Sequence, residues 1–278
     1  MPACAGGAVF ARSVAGQAEA PQRKGRLKQS VTKGVFRGRD MTLDDMCREA
    51  ARLGIYGFDL IGPPDWPVLK KYGLRPTMVP NPYGGTIKDG ISNKANHDRL
   101  VKSISEAIDL SAAAGCPNVI TLAGSRRGMP YEEGADNCVS FLNSVKAHAE
   151  DKGVNICMEL LNSKVNHPDY ICDHTAWGVD VMKRVNSPRV KLLYDIYHMQ
   201  IMEGDVVRTI RANMQYIAHF HTGGNPGRHE IDGAQELNYH FIAQAIADTG
   251  FEGVIAHEYT PVRDPIESLK QAIEICRV

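Results

Sequence analysis

The feature that most constrains this chain is an alternation of two textures, which begins near residue 30 and holds to the C-terminus. Short apolar or β-branched runs occur at "SVTKGVF" (30–36), "YGFDLIG" (56–62), "RPTMVP" (75–80) and "NVITLAG" (118–124). Four more follow at "VNICMEL" (154–160), "VKLLYDI" (190–196), "YIAHFHT" (216–222) and "GVIAHEY" (253–259). Helix-like stretches separate them. "MTLDDMCREAARLG" offers Thr42 as an N-cap and Gly54 as the residue just past the helix end. "NKANHDRLVKSISEAIDLSAAAG" and "YEEGADNCVSFLNSVKAHAEDKG" carry apolar residues at i, i+3, i+4 spacing. Further helices are expected at 173–186, 205–213, 237–249 and 264–276, with a short one near 65–72. Alternating strands and helices build a parallel sheet, and eight repeats in about 250 residues match an α/β (β/α)8 TIM barrel. A doubly wound sheet would normally bring a glycine-rich phosphate loop after its first strand, and "GVFRGRDMT" contains no G-x-G-x-x-G. No Pro/Gly/Ser-rich linker divides residues 30–278, which read as one domain.

Residues 1–29 are set apart as a leader. "ACAGGAVFARSVAGQAEA" is small and weakly apolar, and Ala18-Glu19-Ala20 resembles a signal-peptidase site, but no basic segment precedes it. The stretch reads either as a disordered leader or as the tail of an export signal. The expected location is accordingly the cytoplasm, or the periplasm if residues 1–20 are such a tail. The seven cysteines are odd in number and never paired as C-x-x-C, which argues against a disulfide framework or a thiolate zinc site. They read as small buried hydrophobes in a reducing compartment. Lys+Arg and Asp+Glu both number 32, so nothing in the charge recommends nucleic acid or an anionic membrane as partner. No run of about 18 apolar residues is present to cross a membrane.

In such barrels the chemistry sits where strands end. The last four apolar runs end in Glu159, Asp195, His221 and Glu258. Alternation puts Cys157 and Glu159 on one face of their strand, Leu193 and Asp195 on another's, and Ala256 and Glu258 on the last. Neighbouring strands lie about 4.8 Å apart, so four consecutive ends can focus these side chains on one point. Three carboxylates share a low-dielectric site only if a cation neutralises them or some are protonated. Three carboxylates and an imidazole suit Mn²⁺ or Mg²⁺, with Co²⁺ or Zn²⁺ tolerated. The competing reading is that strand-end polar residues merely cap loops or pair with helix N-termini. His198, three residues past Asp195, is expected on the following loop, within reach of a substrate oxygen. His219 reads as a hydrogen-bonded barrel-interior histidine one layer deeper, and His257 as structural. In the glycine-rich "HTGGNPGRHE", Arg228 is either a bidentate partner for an oxygen-rich ligand or a solvated loop cation.

"MELLNSK", "LLYDIYHMQIMEGD", "HFHTGGNPGRHE…QELNY" and "VIAHEYTP" resemble the corresponding segments of the hydroxypyruvate isomerase family, within the xylose-isomerase-like (sugar phosphate isomerase/epimerase) TIM-barrel superfamily. The resemblance is dense from about residue 154 to 265. It implies Glu159, Asp195, His221 and Glu258 as ligands of one divalent metal. It further implies His198 and Arg228 as substrate-binding residues, Glu159 and Glu258 as the proton-transfer pair, and a homodimer or homotetramer. At 221 this chain has His, as the related ketose 3-epimerases do, where hydroxypyruvate isomerases tend to have Gln.

The expected activity is therefore metal-dependent isomerisation or epimerisation of a small carbohydrate or hydroxy-acid, such as hydroxypyruvate, a ketose or a keto-sugar, through an enediolate. A dehydratase or lyase would use the same enolate but expel a β-substituent. Phosphodiester hydrolysis on the same barrel would want more histidines and a basic face. A non-catalytic carbohydrate-binding barrel would have little use for both Glu159 and Glu258.

Overall fold

The computed structural model describes residues 25–80 and 86–278, so most of the leader, including Cys4, lies outside the described residues. The elements run β1 (Lys28–Val31), α1 (Leu43–Arg52), β2 (Gly57–Phe58), α2 (Trp66–Lys71), β3 (Arg75–Pro76), α3 (His97–Ala114), β4 (Asn118–Thr121) and α4 (Tyr131–Lys152). They continue β5 (Asn155–Glu159), α5 (Thr175–Val185), β6 (Val190–Asp195), α6 (Ile196–Met202), α7 (Val206–Asn213), β7 (Ile217–Thr222), α8 (Tyr239–Ala247), β8 (Val254–His257) and α9 (Pro265–Ile275). All named strand pairings are parallel, in the order β3-β2-β1-β8-β7-β6-β5-β4. A parallel bridge between Val79 and Val119 joins the two edges and closes the sheet on itself. The closure is made by Val79 N–H on the Asn118 carbonyl (2.9 Å) and Ile120 N–H on the Val79 carbonyl (3.1 Å).

The helices form where local chemistry favours them. Thr42 caps α1 in a reciprocal box with Asp45, and Gly54 follows at φ +83°. Gly115 and Gly153 end α3 and α4 in the left-handed region. The main apolar core lies between sheet and helices, while Met78, Ile120, Cys157 and Leu193 form a separate buried cluster inside the barrel. Among the described residues, no helix is long and apolar enough to cross a membrane.

Three expectations need correction. β1 begins at Lys28, so the ordered barrel starts two residues earlier than the expected boundary at 30. Residues 33–36, read as strand, turn into a 3-10 helix because Val35 N–H bonds back to the Thr32 carbonyl (3.2 Å). His198 is on a helix rather than a loop: α6 starts directly after Asp195, whose side chain caps it by accepting the His198 N–H (3.1 Å).

All six cysteines among the described residues are free and buried. Burial pushes the thiols of Cys47, Cys116 and Cys276 up to about 12. At pH 8 the native protein should therefore give at most one fast reaction with Ellman's reagent, against seven thiols after denaturation. Several fast native thiols would contradict this packing.

Candidate metal centre

The sheet register assembles the site. Glu159 stands beside Leu193, and Asp195 beside His221, while His221 pairs with Ala256, two residues before Glu258. Glu159 and Asp195 are the last residues of their strands, His221 is the penultimate one of its strand, and Glu258 is the first residue past β8. One ligand atom from each of Glu159, Asp195, His221 and Glu258 lies within 4.8 Å of all the others. The four strand-end residues singled out in the sequence thus converge as expected.

His221 is fully buried, and its two nitrogens face different surroundings. Nε2 lies 2.8 Å from Asp59 Oδ2. Nδ1 lies 2.6 Å from Glu258 Oε2, 3.4 Å from Glu159 Oε1 and 3.8 Å from Asp195 Oδ2. Despite that proximity, Nδ1 has no hydrogen-bond partner of acceptable geometry. With Nε2–H given to Asp59, a neutral ring would point its Nδ1 lone pair into three carboxylates, an arrangement that is repulsive unless a proton on Nδ1 or a metal cation sits among them. An orphaned imidazole nitrogen beside three carboxylate oxygens fits a divalent ion of the Mn²⁺ or Mg²⁺ class. In the ion-free protein, burial opposes a charged His221, but Glu258, Asp59 and Glu159 hold it well above the usual imidazole range. The two glutamates split in opposite directions. Burial pushes Glu159 up, whereas Glu258, although desolvated, is pulled down by Arg228 and His221.

Arg228 is not a solvated loop cation. Its Nη2 donates to Asp195 Oδ2 (2.5 Å) and Glu258 Oε2 (2.7 Å), its Nε donates to the Glu258 carbonyl (3.1 Å), and its guanidinium lies over the Tyr197 ring. The guanidinium thus supplies part of the charge the carboxylates require. His198 is buried beneath it. Burial, with Arg228 adding to it, holds the imidazole well below its ordinary range, so the ring is neutral. His198 Nδ1 faces the Asn162 backbone N–H (3.2 Å) and the Asn162 side-chain amide nitrogen (2.5 Å). The Asn162 amide orientation is fixed, because its Oδ1 already accepts from Val165 and Asn166 N–H. His198 Nδ1 is therefore an acceptor and Nε2 carries the proton, toward Arg228 Nη1 at 2.7 Å.

The loop that carries Arg228 is closely wound. Arg228 sits at φ +57°, Gly227 at φ +94°, and a Cβ on Gly224 would lie 2.0 Å from the Glu230 carbonyl oxygen. Buried Glu230 accepts from Val262 N–H (3.0 Å) and Arg263 N–H (3.0 Å), tying the loop to the one after β8. Gly224→Ala should cost about 1–3 kcal/mol of stability through the backbone clash. It should also lower turnover by up to ~10²-fold by displacing Arg228. Thermal melts and steady-state kinetics check both, and an unchanged variant would show that the loop tolerates movement.

His219 and His257 take the structural places expected of them. His219 bonds within the lumen to Asp59 (3.2 Å), and His257 sits between Thr222 (3.0 Å) and Gln29 (2.9 Å). Two residues of the site were missed. Asp59 directly follows β2 and interrupts the second apolar run, so a signal was present in "YGFD". Asn162 left none, because only the folded β5 loop brings it to His198.

Comparison with known proteins agrees with this architecture. Residues 67–277 match the family model described as xylose isomerase-like TIM barrel. A 2-oxo-tetronate isomerase from Haemophilus influenzae is 29% identical over 236 residues, covering 81% of this chain and 90% of its own. A human protein provisionally named hydroxypyruvate isomerase is 26% identical over 213 residues, covering 72% of this chain and 75% of its own. Among solved structures, a D-psicose 3-epimerase from Clostridium cellulolyticum H10 superposes with a TM-score of 0.74 at 18% identity, over 90% of this chain and 98% of that one. An AP endonuclease, family 2, from Brucella melitensis gives 0.78 at 23% identity, over 87% and 97%. At those identities the structures speak for the fold alone. With the family model spanning most of its length, the chain belongs to the xylose isomerase-like TIM barrel family.

Proposed function

We propose that the protein is a divalent-metal-dependent isomerase or epimerase of a small hydroxy-carbonyl compound. The observation that carries this reading is the convergence of Glu159, Asp195 and Glu258 on the unpartnered Nδ1 of His221. Relatives named as isomerases of hydroxypyruvate and 2-oxo-tetronate support the reaction class. Glu159, Asp195, His221 and Glu258 would hold the ion, Mn²⁺ or Mg²⁺ in preference to Co²⁺ or Zn²⁺. When bound, such an ion supplies an electrophile for the substrate's carbonyl and neighbouring hydroxyl oxygens, which acidifies the C–H between them.

The chain's own residues do the rest. Glu159 and Glu258 come from strands separated by β6 and β7, so each addresses the substrate from its own side. One removes the proton from carbon, and either the same carboxylate or its partner returns it. His198, fixed by Asn162 with its proton on Nε2, is a donor to a substrate oxygen. Arg228 binds the substrate's oxygen-rich end. A cavity of about 320 Å³ next to Asp59, Arg228 and Glu258 is also lined by Lys33 and Arg37. Lys33 pairs with Asp65 (3.0 Å), which leaves Arg37 on that wall to favour a substrate with a carboxylate, a hydroxy-acid over a neutral ketose.

The test is to incubate manganese-loaded protein in D₂O with hydroxypyruvate, a 2-oxo-tetronate and several ketoses, followed by NMR. Deuterium at the carbon beside the carbonyl, with an isomerised or epimerised product, is expected, and the acids should be turned over in preference. No exchange with any compound would overturn the reading, and an unsaturated or dicarbonyl product would replace it with a lyase.

A further inference from the structure

We infer that Asp59 is a positioning residue for this centre, holding His221 in the tautomer that aims its Nδ1 lone pair at Glu159, Asp195 and Glu258. The inference rests on the metal-centre reading above. Asp59 directly follows β2, three strands round the barrel from β7, and it is 1% exposed. Its Oδ2 lies 2.8 Å from His221 Nε2 and 3.2 Å from His219 Nε2, and its Oδ1 accepts the Thr77 hydroxyl (2.5 Å).

Donor roles in this network are fixed from outside it. Asn118 Nδ2 donates to the Thr77 carbonyl (2.9 Å), and its Oδ1 accepts from Asn155 Nδ2 (2.9 Å), so the amide cannot be turned round. Asn118 therefore presents its amide nitrogen to His219 Nδ1 (3.4 Å). His219 Nδ1 accepts, and its Nε2–H is left to donate to Asp59. His221 has no other partner for Nε2, so it donates there as well. A carboxylate behind an imidazole fixes the ring's tautomer and orientation and makes the opposite nitrogen a stronger ligand. His219 uses the same carboxylate without reaching the ligand cluster. That makes it an internal control, because it shares the packing of Asp59 but not the task.

A purely structural Asp59, tying β2 to β7 across the lumen, would explain the contacts but would leave metal affinity alone. The two accounts separate by experiment. Asp59→Asn keeps the size and an oxygen that can accept from His221 Nε2–H, but it removes the negative charge that makes the opposite nitrogen a stronger ligand. Asp59→Asn should bind Mn²⁺ about 10–100-fold more weakly than wild type, measured by calorimetry on protein shown to be folded. His219→Gln should stay close to wild type. Wild-type affinity in folded Asp59→Asn would overturn the inference. A reading that does not depend on the variant folding comes from wild-type protein with ¹⁵N-labelled histidine, loaded with Zn²⁺. The expected spectrum has the ion on His221 Nδ1 and a protected proton on Nε2, and the reverse assignment overturns the inference. A wild-type protein that binds no divalent ion would instead remove the metal-centre reading, and this one with it.

Discussion

Glu159→Gln and Glu258→Gln should each lower turnover by about 10²–10⁴-fold, the usual worth of a positioned general base, when assayed at saturating Mn²⁺. Glutamine keeps the length of the side chain and one oxygen for an ion but cannot take a proton. Loss of activity with the ion still bound therefore isolates proton transfer from metal binding. The two environments predict a difference between the variants. Burial leaves Glu159 reluctant to ionise, while Arg228 and His221 keep Glu258 charged. In D₂O, exchange that persists in Glu159→Gln but stops in Glu258→Gln would assign a single base and favour aldose–ketose type isomerisation. Exchange lost in both would favour epimerisation by two bases. Normal turnover in both would remove the pair from the mechanism.

The second large effect should come from Arg228→Met, which keeps an unbranched side chain but removes the charge and its contact with the Tyr197 ring. The guanidinium is shared by Asp195 and Glu258. Taking one partner from a buried charge cluster typically costs about 3–5 kcal/mol. The metal-free variant should thus melt well below wild type, and Mn²⁺ should restore more of its stability than it adds to wild type. Without the guanidinium's positive charge beside the carboxylates, Mn²⁺ should bind about tenfold or more tightly, equivalent to roughly 1.4 kcal/mol. Turnover should fall even so, because the role proposed for Arg228 is to hold the substrate's oxygen-rich end. Weaker Mn²⁺ binding in this variant would mean that Arg228 supports the ligand set and does not compete with the ion.

The part of this architecture legible in the sequence was the part with short-range causes. Runs such as "VKLLYD" and "VIAHE" stop at a carboxylate, and strand alternation places that carboxylate inward, so the convergence of four strand-end side chains followed from spacing. The N-terminal boundary was cut two residues short because Lys28 and Gln29 look polar. Both are satisfied within the fold: Lys28 Nζ donates to the Glu252 carbonyl (2.7 Å) and Gln29 Nε2 to that of Ile273 (3.2 Å). Helix α6 was hidden because Asp195 serves at once as strand end, ligand candidate and N-cap, with no glycine or proline between strand and helix. The role of Asp59, as distinct from its place just past a strand, lay beyond local reasoning for another reason. Its partner His221 is 162 residues away and three strands round the barrel, a contact made only by closure of the sheet.

The most direct test of the central claim is a calorimetric titration of Mn²⁺ into chelator-stripped protein, alongside Asp195→Ala and His221→Ala. A single divalent-ion site built from four strand ends predicts one ion per chain in wild type and a large loss of affinity in each variant, with the fold intact by circular dichroism. Wild-type protein that takes up no ion, or variants that bind it as wild type does, would contradict the account.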